Sequence, residues 1–311
     1  MKQFKKLTFA LAASTAMLAT SGCAQQQLPT PQSTTMVAAE TREMVGPALW
    51  KVADEDTTIW MFGTVHALPD DVNWNAGAVK DALAGSDILV TEVDMTPEIL
   101  AALPPKALAL ATLPTGTTLR SLFDDDQRMK YEAGMTKLGI PVEAFDQFEP
   151  WFAALSAYQV TMMKAGITGE NGVEIVLEAT MPETMKRGAL ETAEFQLEMF
   201  DGMPQDMQIE YLISTMEGID EIGPMLNTII EAWAKGDVDT VVDMLDDSMV
   251  EDALFLERLL YTRNANWADW IDTRLDTPGT VFMAVGAAHL AGEKSVQDYL
   301  NTRGIKSYRV Q

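Results

Sequence analysis

Three short runs of aliphatic, aromatic and β-branched residues are the clearest pattern along the chain. They cover residues 57–62, 88–93 and 280–285, and each has the length of a buried strand bounded by turn or polar residues. A run at 305–310, in which apolar and polar residues alternate imperfectly, predicts a further short strand. The first two runs are separated by a helical pattern at 75–83. This order of strand, helix and strand is typical of a parallel βαβ unit.

The middle of the chain has a different periodicity. Between residues 98 and 249, apolar residues recur at spacings of three and four, and prolines interrupt the pattern repeatedly. This predicts several short helices rather than one long one. A longer amphipathic helix is predicted over 252–275, and another helix over 295–302. Because no low-complexity block divides residues 49–311, we expect one α/β unit with a large helical insertion over about 98–249.

The N-terminal segment has the pattern of an export signal. Three lysines and no acidic residue lie in residues 1–6, and an apolar stretch follows over 7–20, so residues 1–22 are predicted to be a signal peptide. Cys23 follows Thr20-Ser21-Gly22 as in a bacterial lipobox, although Thr20 replaces the usual aliphatic residue. We therefore expect a periplasmic protein lipid-anchored to the outer membrane through Cys23, with ordinary cleavage after Ala24 as the alternative. Residues 23–48 would form a flexible tether.

Composition and charge exclude several classes of function. The chain contains 22 Lys and Arg against 46 Asp and Glu, which gives a formal net charge of −24. Such a surface repels nucleic acid, and it also repels anionic lipid, so membrane association is expected only through the lipid anchor. A single cysteine cannot form an internal disulfide or a Cys-rich metal site. Any metal must be held by histidines and carboxylates. The oligomeric state stays open.

Candidate chemistry begins with the two histidines of the chain, which occur in matching contexts. His66 ends Gly63-Thr64-Val65-His66 after the first predicted strand, and His289 ends Gly286-Ala287-Ala288-His289 after the third. Glu92 lies near the end of the second strand. Ligands of open α/β sheets bind just beyond the carboxyl ends of the strands. We therefore expect His66, Glu92 and His289 to face one crevice.

Two neutral imidazoles and one carboxylate are a suitable ligand set for a catalytic divalent cation. Three protein ligands leave a coordination position open for water or substrate. Zinc, manganese and cobalt all accept this set. The alternative is that each histidine is a satisfied buried polar residue and that Glu92 is a solvated strand end. The chain has no His-Glu-x-x-His segment, so it is not a zincin.

Seven short segments together resemble the TraB/PrgY/GumN family, which is related to the Tiki metalloproteases. The resemblance covers residues 49–311. The order and spacing of the segments carry it: Leu49-Trp50-Lys51-Val52, Phe62-Gly63-Thr64-Val65-His66, Thr91-Glu92-Val93-Asp94, Glu149-Pro150-Trp151, Leu190-Glu191-Thr192 with Gln196, Arg263-Asn264 with Trp267, and Val285-Gly286-Ala287-Ala288-His289.

The resemblance implies an α/β fold with a central mixed, partly parallel sheet, flanking helices and a large helical insertion. It also implies a metal site formed by His66, Glu92 and His289. Arg263 is then a candidate to stabilise an oxyanion or hold a carboxylate, with an ordinary ion pair as the alternative. Glu191 and Glu174 are candidates for a general base or a carboxylate that orients an imidazole. Glu174 stands where the family pattern has aspartate.

Three functions are compatible with these features. The first is a metal-dependent hydrolase of the bacterial cell envelope that cleaves a peptide or protein substrate, an activity that the resemblance to Tiki proteins implies. The second is a non-catalytic envelope protein that binds a peptide signal or supports surface polysaccharide functions. The third is an esterase-like hydrolase, because erythromycin esterases are distantly similar in having His and Glu at related strand ends.

Overall fold

The structure is a computed structural model that describes residues 46–94, 96–248 and 253–311. The predicted signal peptide, Cys23 and most of the predicted tether lie outside the described residues. No helix among the residues described here combines the length and the apolar character needed to cross a membrane.

A six-stranded mixed sheet forms the centre of the described chain. Its strands are β1 (Leu49–Ala53), β2 (Thr57–Thr64), β3 (Ile88–Val93), β4 (Lys186–Glu191), β5 (Gly279–Gly286) and β6 (Tyr308–Arg309), in the spatial order β4-β3-β5-β2-β1-β6. The first four strands in this order are parallel, whereas β1 pairs antiparallel with both β2 and β6. The predicted α/β fold with a mixed, partly parallel sheet is confirmed.

Twelve α-helices are defined in the described residues. They are α1 (Gly77–Ala84), α2 (Pro97–Ala111), α3 (Asp125–Leu138), α4 (Pro150–Lys164), α5 (Val173–Thr180), α6 (Ala193–Asp201), α7 (Gln205–Glu217), α8 (Ile222–Ala234), α9 (Val238–Ser248), α10 (Ala253–Leu256), α11 (Thr262–Leu275) and α12 (Val296–Thr302). A π-helical turn, Glu257–Tyr261, joins α10 to α11. Short 3-10 turns occur at Leu119–Leu122, Gly169–Asn171 and Ala287–Leu290.

Two strands were not predicted from the sequence. β4 lies inside the segment expected to be mainly helical, and at the edge of the sheet its residues are exposed or only partly buried. It therefore lacks the apolar run that marks β3 and β5. β1 is short and does not alternate strictly between buried and exposed positions. The helix predicted over 252–275 is interrupted, because the π-helical turn divides its described part.

Alternate residues along the strands face two separate hydrophobic cores. Phe62, Leu89 and Phe282 point to the larger core, which includes residues of α1 and of the helices between β3 and β5. Met61 and Met283 point to the opposite face, where α11 and α12 cover the sheet. The sheet is thus fully covered around its three central strands.

The parallel strands end at the same edge of the sheet. Thr64 is in register with Gly286 on the neighbouring strand, and Val93 is in register with Glu191. This edge carries the segments with Glu191, Glu92, His289 and His66 in the order β4, β3, β5, β2. Candidate residues from distant parts of the sequence therefore lie side by side.

Candidate functional site

His66, Glu92 and His289 converge on Gly286. An ideal Cβ at position 286 would lie 3.2 Å from Glu92 Oε1 and 3.5 Å from both His66 Nε2 and His289 Cδ2. Nε2 of His289 lies 3.8 Å from Glu92 Oε1. Glycine at position 286 therefore keeps open the space between the three side chains. The three side chains thus lie together at the strand ends of the sheet.

His66 forms a buried ion pair with Glu174. Nδ1 of His66 lies 2.7 Å from Glu174 Oε1, and both side chains are at most 7% exposed. Thr64 donates its hydroxyl hydrogen to the same carboxylate oxygen. Burial lowers the pKa of His66, but the Glu174 carboxylate outweighs this effect and raises it to about 9. Without a bound cation, His66 is protonated at neutral pH.

A close backbone contact places Glu174 beside His66. Val173 donates its amide hydrogen to the carbonyl of Val65 at 3.1 Å, at the start of α5. A Cβ on the preceding residue, Gly172, would lie only 2.2 Å from the His66 carbonyl oxygen. Only glycine allows the beginning of α5 to lie so close to the His66 segment. The Gly-rich sequence before α5 therefore positions the partner of the first imidazole.

His289 has a different environment. Its Nδ1 lies 2.6 Å from Asn264 Oδ1, and its Nε2 lies 3.0 Å from Nη1 of Arg263. Since the amide oxygen only accepts and the guanidinium only donates, Nδ1 carries the hydrogen and Nε2 is the acceptor. Burial, reinforced by the nearby Arg263 charge, lowers the pKa of His289 well below 6.5. His289 is therefore a neutral imidazole with a defined tautomer.

Arg263 links the imidazole to two carboxylates. Its Nη2 donates to Glu92 Oε2 at 2.5 Å and to Glu191 Oε2 at 2.9 Å, while Nε donates to Glu191 Oε1 at 2.8 Å. Its Nη1 also donates to the carbonyl of Leu259 at 2.9 Å. The side chain is fully buried, so these bonds compensate the loss of its hydration.

Glu191 binds Arg263, and among the described residues its carboxylate contacts neither imidazole. Besides the guanidinium, its carboxylate accepts hydrogen bonds from Trp267 Nε1 at 3.1 Å and from Gln196 Nε2 at 3.1 Å. These four hydrogen bonds occupy both oxygens of the Glu191 carboxylate. Of the two carboxylates predicted as general base or orienting partner, Glu174 is the one that contacts a histidine.

Glu92 is held as a carboxylate by its surroundings. Burial raises its pKa, but Arg263 and the two histidines outweigh this effect and lower it to about 2. Oε1 also accepts the backbone hydrogen of Gly286 at 2.7 Å, and Oε2 accepts one from Gln196. Glu92 therefore stays negatively charged across the physiological pH range.

The donor chemistry of His66, Glu92 and His289 fits a divalent cation. Both Nδ1 atoms face side-chain oxygens, so each ring can present Nε2, as orienting partners do in metal sites. Nε2 of His66 is buried and has no hydrogen-bond partner among the described residues. No group of three or more His, Cys, Asp or Glu side chains has the arrangement of a formed metal centre in the described part of the chain.

Several side chains of the site had no role in the sequence-based prediction. Asn264, Gln196 and Trp267 belong to the segments that resemble the family. Only the structure shows that they contact His289, Glu92 and Glu191, respectively. Thr64 lies in the first Gly-x-x-His segment, and its hydroxyl could have drawn attention as a hydrogen-bond donor beside a buried histidine. No sequence pattern paired it with Glu174, which is 110 positions away.

The comparison with known protein families covers nearly all of the described chain. The profile of the TraB/PrgY/gumN family matches residues 48–309. No curated protein and no solved structure matches the chain significantly. All the residues of the site described above lie inside the matched segment.

Proposed function

Because the chain belongs to the TraB/PrgY/gumN family, we propose that it is an exported, lipid-anchored, divalent-metal-dependent hydrolase of the bacterial cell envelope. The observation that carries this proposal is the arrangement of His66, Glu92 and His289 around Gly286. The substrate is a peptide or protein, and the scissile bond is an amide. This part rests on the resemblance to Tiki metalloproteases.

The cation would be zinc, manganese or cobalt, held by Nε2 of His66, Nε2 of His289 and the Glu92 carboxylate. Such an ion acts as a Lewis acid on a carbonyl and makes water more acidic. Before binding it, His66 must lose the proton that Glu174 stabilises. Since both Nδ1 atoms face oxygen atoms, the two rings would keep their orientation if each Nε2 held the cation.

Two other side chains would transfer a proton and stabilise negative charge during the reaction. Oε2 of Glu174 is buried without a hydrogen-bond partner among the described residues, so it is available to hold a proton and act as general base. The guanidinium of Arg263 supplies a fixed positive charge that can stabilise an oxyanion. Glu191 and Trp267 position this guanidinium through their contacts with it.

One observation favours a second candidate function. Arg263 already joins Glu92 to His289, so this half of the site is fully hydrogen-bonded without a cation. A non-catalytic envelope protein that binds a peptide signal would retain such a network for stability alone. Turnover separates the two functions, because a binding protein leaves every peptide intact.

Metal content and cleavage test the proposal directly. The purified protein is incubated with zinc, manganese or cobalt and its metal content is measured by plasma mass spectrometry. The same measurement is made on the His66→Ala/His289→Ala variant and on Glu92→Gln, with Glu231→Gln at an exposed carboxylate as the matched control. We expect near-stoichiometric metal in the wild type and control, and loss of most of it in the site variants.

Peptide-library cleavage, followed by mass spectrometry, then separates the hydrolase from the binding protein. Cleavage by the loaded wild type that the His66→Ala/His289→Ala variant lacks supports the hydrolase. Failure of the wild type to take up any of the three ions contradicts the metal site. Loaded protein that binds peptides but cleaves none supports the second function.

The lipid anchor is tested separately in cells. Cys23 is the only cysteine of the chain, so Cys23→Ser removes the only thiol that can be acylated. We expect the wild type in the outer-membrane fraction, labelled by a fatty-acid analogue, and the variant unlabelled and released from that fraction. Equal labelling of both proteins would contradict the lipidation of Cys23.

A further inference from the structure

We propose that Arg263 sets the affinity of the site for a divalent cation by occupying the coordinating nitrogen of His289. This inference rests on the proposed metal-dependent function and deepens it. Nε2 of His289 is the ring nitrogen without a hydrogen, since Nδ1 donates to Asn264. Its single lone pair accepts a hydrogen bond from Nη1 of Arg263, which lies 3.0 Å away. That lone pair cannot accept the guanidinium hydrogen and bind a cation at the same time.

The contacts of Arg263 are divided between two ends of the guanidinium. Nε and Nη2 are held by Glu191 and Glu92, which makes this end a charge-assisted anchor. Nη1 has only neutral partners, His289 and the carbonyl of Leu259. Releasing His289 therefore costs Arg263 one neutral contact, while the contacts that compensate its charge remain.

The backbone retains one partner for the released end. Leu259 lies in the π-helical turn Glu257–Tyr261, directly before α11. Turns of this type are found frequently at functional sites, because they displace part of a helix from its regular hydrogen bonding. When Nη1 leaves His289, its second hydrogen still donates to the carbonyl of Leu259. Arg263 can thus stay buried in both arrangements.

Fixed charge adds to this competition. Arg263 is permanently protonated and lies within hydrogen-bond distance of two of the three candidate ligands. A second positive charge in the same buried space is repelled by it. The structure therefore shows a site whose native arginine already satisfies Glu92 and His289. Cation binding must be weaker than the three ligands alone would provide.

Cobalt binding measures this competition without reference to activity. Co²⁺ alone is titrated into the purified full-length protein and followed by its visible absorption, which changes when imidazole ligands bind. Arg263→Lys keeps the positive charge, but its single nitrogen is attracted to the two carboxylates and frees His289. We expect it to bind Co²⁺ about tenfold more tightly than the wild type. Arg120→Lys, at an arginine paired with Asp146 away from the site, is the matched control and should bind as the wild type does.

A second variant keeps the test informative if Arg263→Lys does not fold, as judged by circular dichroism. Arg263→Gln/Glu191→Gln removes one positive and one negative charge, so the net charge of the site does not change. Tighter Co²⁺ binding by either folded variant supports the inference. Equal or weaker binding, with clear binding by the wild type, overturns it and leaves the proposed function standing. Absence of Co²⁺ binding in the wild type and in both variants overturns the metal-dependent function together with this inference.

Discussion

The two Gly-x-x-His segments have the same sequence pattern but opposite electrostatic environments. His66 faces the carboxylate of Glu174 and has a pKa raised to about 9. His289 faces an amide oxygen and a guanidinium, and its pKa is lowered well below 6.5. Both rings are buried at neighbouring strand ends. The difference therefore arises from the partners that other elements supply rather than from the motif.

The partners come from different parts of the chain. Glu174 is delivered by α5, within the segment between β3 and β5, whereas Asn264 and Arg263 are delivered by α11. A buried imidazole beside a carboxylate is stabilised as a cation, and one beside a guanidinium is stabilised as a neutral base. One site thus contains an imidazolium and a neutral imidazole, which differ in how readily they can bind a cation.

The largest expected effect is a loss of stability on the His289 side of the site, which depends on the buried positive charge of Arg263. Arg263→Met would leave Glu92 and Glu191 buried without their positive partner. We expect a loss of about 3–5 kcal/mol in the free energy of unfolding, measured by urea denaturation. Arg120→Met removes a partly exposed arginine from Asp146 and should cost about 1 kcal/mol or less. Equal losses in the two variants would contradict the special role of Arg263.

A smaller loss is expected on the His66 side, from Gly172→Ala. The added Cβ would lie 2.2 Å from the carbonyl oxygen of His66, so α5 must move away and separate Glu174 from the ring. We expect a loss of about 1–3 kcal/mol, as for overpacked sites, measured in the same way. Gly169→Ala is the matched control in the same loop, because its Cβ would meet no heavy atom within 4 Å. A neutral Gly172→Ala would show that the contact is not needed.

The raised pKa of His66 predicts a loss of stability at high pH. Because this pKa is about 9 in the folded protein and 6.5 in the ordinary imidazole, the ion pair contributes fully below pH 6.5. The contribution is lost as the pH rises through about 9, with a slope of at most about 1.4 kcal/mol per pH unit. Urea denaturation of metal-free protein between pH 6 and 10 measures this slope. Glu174→Gln should reduce it, and an unchanged slope would assign it to another group.

The smallest expected effect is a change in the protonation of His289, caused by Asn264→Asp. This nearly isosteric change gives His289 a carboxylate partner like that of His66, so its pKa should rise. Because the chain has only two histidines, nuclear magnetic resonance can follow both imidazoles in one titration. His66, whose partner Glu174 is unchanged, supplies the second imidazole signal in the same spectra. A His289 that remains neutral would show that Arg263 controls its protonation more strongly than position 264 does.

Much of the strand-end geometry followed from local patterns. The apolar runs at 57–62, 88–93 and 280–285 correspond to β2, β3 and β5, because buried parallel strands need continuous apolar sequence. The positions of His66, Glu92 and His289 near the ends of these strands could then be deduced from a general rule for α/β sheets. β4 could not be deduced in this way, because an edge strand with exposed residues has no such run.

The sequence by itself determined which strands are buried and which residues follow them, since both depend on neighbouring positions. Only the tertiary structure decided that Glu174 pairs with His66 and that Arg263 binds Glu92, 171 positions away. It also decided which imidazole carries the charge. Periodicity reports the face of an element that is buried, but the pKa of a buried group depends on the charges that distant elements place beside it.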